Sequence, residues 1–84
     1  MITTAVSMRG SAFDPPAIQV SPSAVVTFTN ADNFAHNVTF STGGVAASGN
    51  FSTGSRQVTM PAAPGTYGYN CTLHGGMSGT VLVK

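Results

Sequence analysis

Apolar and polar residues alternate with a period of two through most of this chain. In "VTFTN", Val26 and Phe28 share one face and Thr27 and Thr29 the other, the alternation of a half-buried strand. In "TYGYNC", Tyr67, Tyr69 and Cys71 lie on one face, with Thr66, Gly68 and Asn70 opposite. Thr, Val, Phe and Tyr recur while Gly, Pro, Ser and Asn punctuate at short intervals, which is strand-and-turn patterning. The pattern predicts strands near Thr3–Arg9, Ala17–Val20, Ala24–Asn30, His36–Phe40, Ser55–Met60, Thr66–Cys71 and Ser78–Lys84. Pro15 and Pro16 cannot donate to a ladder, so that stretch is expected to be an edge or a kink. Pro22-Ser23 and "PAAPG" at Pro61–Gly65 read as turns. Ser41–Ser55, rich in Gly and Ser, reads as a long connection holding at most a short edge strand or one helical turn. No stretch reads as a long amphipathic helix. Seven to eight short strands at this spacing predict an all-β, two-sheet Greek-key sandwich or barrel. With no repeat and no internal boundary, residues 1–84 are expected to form one domain.

Charged residues make up 6% of the chain, giving a formal net charge of +1, against roughly 25% in an average globular protein. A chain this poor in cations cannot neutralise a row of phosphates, so nucleic acid is excluded as a partner. The hydrophobic fraction of 42% permits a packed core. No apolar run approaches the roughly 20 residues that span a bilayer, so no transmembrane segment is expected. The start, "MITTAVSMRGSAF", is polar and is not a signal peptide. One cysteine cannot make an internal disulfide, and a bound metal is another way to stabilise so small a fold.

The chemistry concentrates in "YNCTLHGGM". Cys71, His74 and Met77 follow at three-residue steps, and Gly75 and Gly76 allow a turn on which the three side chains converge. A thiolate and a thioether are soft donors and imidazole is intermediate, a set that favours copper over magnesium or calcium. His36 is the only other histidine. Although far away in sequence, it can come close in a Greek-key sandwich. Two His, one Cys and a weak axial Met form the donor set of an electron-transfer copper site. Each residue also has a plain reading. A lone buried Cys is usually a small apolar residue, a lone His a satisfied polar group, and a lone Met core. That reading loses ground because a ligand-poor chain places one Cys and one of two His within four residues of each other. Structural zinc wants more thiolates or a local His pair. A haem attachment motif needs a second cysteine. For a Cys–His nucleophile no orienting acid is apparent, and Asp14 and Asp32 are too scattered for a carboxylate pair.

"GTYGYNCTLHGGMSGTVLV" resembles the copper loop of the cupredoxins, the small blue copper proteins that include plastocyanin, pseudoazurin and amicyanin. "FDPPAIQVSPSAVVTFTNADNFAHNVTF" resembles that family's first half, in which a Phe-x-Pro segment leads to a Val-Thr-aromatic-Thr-Asn strand and then to a His-Asn pair. The similarity runs from about Val6 to Val83, and the C-x-x-H-x-x-M spacing is like that of amicyanin. The resemblance implies a type 1 site with one Cu(I)/Cu(II) ion and His36, Cys71, His74 and Met77 as ligands. It makes Asn37 a residue that bonds across to the cysteine strand, and Tyr67 a structural tyrosine. Two departures stand out: the Ser41–Gly65 region is short for the family, and the acidic patch of many plastocyanins is missing.

The function expected is one-electron transfer, with no enzymatic activity. Redox proteins are expected to dock near His74, on an uncharged surface that includes Phe34, Ala35, Gly75 and Gly76. The protein is expected to act as a monomer in the periplasm or another exported location, its targeting segment already removed. The rival readings are a copper carrier or storage domain and a metal-free β-sandwich interaction module.

Overall fold

The computed structural model describes residues 1–42 and 44–84. Among these residues, eight strands form two four-stranded sheets. The first contains β1 (Ala5–Arg9), β2 (Ala12–Asp14), β4 (Val25–Asn30) and β6 (Ser55–Thr59), in the order β2-β1-β4-β6. The second contains β3 (Ala17–Val20), β5 (Thr39–Phe40), β7 (Gly65–Asn70) and β8 (Ser78–Val83), in the order β3-β8-β7-β5. β1 pairs parallel with β4 and β3 parallel with β8, and the other pairs are antiparallel. Among the described residues there is no helix, and so none long and apolar enough to cross a membrane.

The sheets hold together because alternation aims one side of every strand inward. Val26 and Phe28 are fully buried, as are Val6 and Met8 on the neighbouring strand and Val81 and Val83 on the opposite sheet. Burying each such side chain contributes about 1.5–3 kcal/mol before the ordering entropy is subtracted. Tyr69 meets Phe13, Phe28 and Phe40 with ring centroids 4.7, 5.3 and 5.2 Å away, so one aromatic cluster joins the two sheets. The Tyr67 hydroxyl donates to the Ala63 carbonyl at 2.7 Å, pinning the Pro61–Gly65 turn to β7. That is the structural role the resemblance implies.

The sequence pattern predicts no strand over Ala12–Asp14, where β2 lies. This strand has only three residues and exists because Gly10 and Ser11, with φ of 59° and 56°, close a two-residue hairpin. Positive φ at both central positions matches the twist of the flanking strands. Pro15 and Pro16 then fall where the chain leaves the first sheet for the second, as expected of residues that cannot continue a ladder. The predicted His36–Phe40 strand is regular only over Thr39–Phe40. His36 pairs instead through an isolated bridge with Phe51, and the Val38 amide donates to Ser48 Oγ at 2.8 Å. The expected Ser41–Ser55 connection therefore folds back over His36–Val38 and buries Phe51; its residue 43 lies outside the described residues.

Candidate metal centre

β7 ends at Asn70 and β8 begins at Ser78, so Cys71 to Met77 form the loop between two paired strands. The Cys71 amide donates to the Met77 carbonyl at 2.9 Å, extending the ladder and clamping the loop at its base. Inside it, the Met77 amide reaches the His74 carbonyl at 3.4 Å across a β-turn with Gly76 at φ 81°. Position three of such a turn wants a positive φ, which is why glycine stands there. Cys71 and Met77 are buried at 1% and 2% exposure, Gly75 and Gly76 are exposed, and His74 is half-buried.

His36 comes to this loop from the other half of the chain. Its side chain is fully buried, and its Nδ1 lies 3.9 Å from Cys71 Sγ. The His36 and His74 rings have centroids 4.8 Å apart. One candidate ligand atom from each of His36, Cys71 and His74 lies within 4.8 Å of the others. The structure thus brings together three of the four sequence-predicted ligands by their donor atoms. It buries Met77 at the foot of the same loop.

Both imidazoles have Nε2 against an oxygen. His36 Nε2 lies 2.7 Å from Asp32 Oδ2, and His74 Nε2 lies 3.2 Å from the Ala35 carbonyl. Both oxygens accept, so in the neutral rings Nε2 carries the proton and Nδ1 is left with a bare lone pair. The His36 imidazole, then the Ser11 and Gly10 amides, hold the Asp32 carboxyl below the usual carboxylate range. A soft thiol beside two unprotonated imidazole nitrogens, with His36 and Cys71 buried and His74 half-buried, suits a copper ion.

Asn37 bonds across from the His36 segment to the loop. Its Oδ1 accepts from the Thr72 amide at 3.1 Å and its Nδ2 donates to Thr72 Oγ1 at 2.8 Å, tying the His36 segment to the residue after Cys71. Two further bonds reach Asn50 Oδ1 and Thr39 Oγ1. Phe34, 42% exposed, packs edge-on against both His36 and His74, with ring centroids 4.9 and 5.5 Å away. Leu73 is 46% exposed on the loop itself.

In the sequence Asp32 stands as an isolated acid. Its spacing of four residues before His36 was the available signal, but it means little outside a helix until the loop between them is known to turn back. Leu73, an apolar residue, carries no signal in the sequence that marks it as exposed.

The profile of the copper-binding proteins of the plastocyanin/azurin family matches residues 2–84. Amicyanin-alpha of Methylorubrum extorquens is 34% identical over 86 residues, which cover 98% of this chain and 72% of that protein. A reduced Cu(I) form of an amicyanin variant at pH 4 superposes with a TM-score of 0.84 at 27% identity, covering 95% of this chain and 80% of the other. An oxidized amicyanin variant gives a TM-score of 0.83 at 26% identity with the same coverage.

Proposed function

The chain belongs to the plastocyanin/azurin family of copper-binding proteins, and from that premise we propose that His36, Cys71, His74 and Met77 hold one copper ion. Cupredoxins of the amicyanin kind are electron carriers and not enzymes, and one-electron transfer between Cu(II) and Cu(I) is the function assigned to this site. The observation that carries the ligand set is the meeting of His36 Nδ1 with Cys71 Sγ at 3.9 Å, inside the core, from positions 35 residues apart.

In this reading the bound ion supplies the redox couple and the protein supplies a fixed frame. Cys71 offers a thiolate, His36 and His74 offer their Nδ1 lone pairs, and Met77 adds a weak fourth donor. Clamping at the loop base and the Asn37 cross-link keep the donors from rearranging as the charge changes. That rigidity favours a redox site over a carrier, whose ligands must let go.

His74 is the ligand nearest solvent, ringed by exposed Phe34, Leu73, Gly75 and Gly76. Redox partners would dock there on apolar, uncharged surface. Their exchange rate would change little with salt; a steep fall with ionic strength would count against this surface. The 84 residues would work as one monomeric domain in an exported compartment.

The test is to add Cu(II) to the metal-free protein. An intense visible band and a reversible one-electron wave are expected, with both lost in Cys71→Ala while the melting transition persists. A parent protein that stays colourless would overturn the reading.

A further inference from the structure

We propose that Asp32 is a positioning residue for the redox site: its carboxylate locks the ring of His36 and biases the bound ion toward Cu(II). The inference rests on His36 being a copper ligand.

The geometry is built from both sides. His36 has no solvent exposure, and its Nε2 meets Asp32 Oδ2 at 2.7 Å, the length of a charge-assisted bond. The carboxylate is itself held by the β1–β2 turn. The Gly10 amide donates to Oδ1 at 2.8 Å and the Ser11 amide to Oδ2 at 3.1 Å. Its own backbone amide donates to Asn30 Oδ1 at 2.9 Å, and Asn30 Nδ2 in turn donates to the Phe34 and Phe51 carbonyls. A side chain with few degrees of freedom left thus aims one oxygen at one ring nitrogen. The Asp32 side chain is 12% exposed, so the contact is largely screened from water. Only two Asp and no Glu occur in the chain, and one of the two stands here.

Two consequences follow. A carboxylate can only accept, so Nε2–H is the tautomer selected and Nδ1 is kept bare toward Cys71. The negative charge also makes the imidazole a stronger donor. A stronger donor and a nearby anion favour the more highly charged ion, so Cu(II) gains more than Cu(I).

Three proteins test this: the parent, Asp32→Asn, which loses the charge but keeps an oxygen acceptor, and Asp32→Ala, which loses both. Without metal, nitrogen NMR of the His36 ring should show a single Nε2–H tautomer in the parent and a tautomer mixture in Asp32→Ala. With copper, Cu(II) affinity should fall about tenfold or more in both variants. Cu(I) affinity should fall less, so the reduction potential rises. An unmoved potential in Asp32→Asn, or an unchanged single tautomer in Asp32→Ala, would overturn the proposal. The ring tautomer is read without copper. A parent that bound no metal would therefore sink the ligand reading while the NMR arm still decided the hold of Asp32 on His36.

Discussion

Replacing Asn37 with alanine should loosen the proposed metal centre and the fold together. Asn37 is 4% exposed and its amide makes bonds of 2.9 and 2.8 Å as donor and of 3.0 and 3.1 Å as acceptor. At about 0.5–1.5 kcal/mol net each, the four together contribute roughly 2–6 kcal/mol. Thr72 and Asn50 are exposed and can turn to water, so the low end applies, about 2–3 kcal/mol. For a domain of this size that lowers Tm by about 10–20 °C. Asn37→Asp keeps an acceptor for the Thr72 amide and the Thr39 hydroxyl but loses the donor, and should fall between parent and alanine. Calorimetry of the metal-free proteins measures the first effect. Competition for Cu(II) measures the second, a loss of about tenfold to a hundredfold in affinity. If Asn37→Ala melted within about 3 °C of the parent, the cross-link would not be what holds the two segments together.

Gly79 faces Tyr69 across the β7–β8 ladder, and a Cβ there would sit 2.6 Å from Tyr69 Oη, 2.7 Å from its Cζ and 2.9 Å from the Pro16 carbonyl. Gly79→Ala should therefore cost about 1–3 kcal/mol by overpacking. The buried Tyr69 hydroxyl has no hydrogen-bond partner among the described residues. Tyr69→Phe should consequently raise stability by about 1 kcal/mol and relieve part of the Gly79→Ala loss; a lower Tm for Tyr69→Phe alone would refute this. Burial also pushes the Tyr69 phenol above the ordinary tyrosine range. A raised folded value means its contribution is full below the unfolded pKa of about 10 and is lost as pH rises through the folded one. Melting curves above about pH 10 should thus drop more steeply for the parent than for Tyr69→Phe, and parallel curves would count against the assignment.

Most of the fold was legible because alternation is a local signal: Val26 with Phe28, and Tyr67 with Tyr69 and Cys71, all face inward as their period required. The loop motif was legible too, since Cys71, His74 and Met77 are close in sequence. What stayed hidden depends on the return path of the chain. Phe51 pairing with His36, Ser48 taking the Val38 amide, and Asp32 bridging His36 to the Gly10–Ser11 turn all depend on how the loops turn back on the sheets. No local period encodes them. The shortened β5 has the same origin, because a side chain from the connection replaced a ladder bond.

The clamped loop bears on the order in which the molecule assembles. Cys71, His74 and Met77 share one short turn, whereas His36 is 35 positions from Cys71. Closing that longer span costs about 1.5 kcal/mol more chain entropy than closing the loop. With the proposed ligands, an unfolded chain therefore keeps three of its four donors within reach of each other. Copper can be captured there first, with His36 joining only as the two halves of the sandwich dock. Since the metal then binds both states, it should raise the melting temperature by less than its affinity for the native protein alone would give.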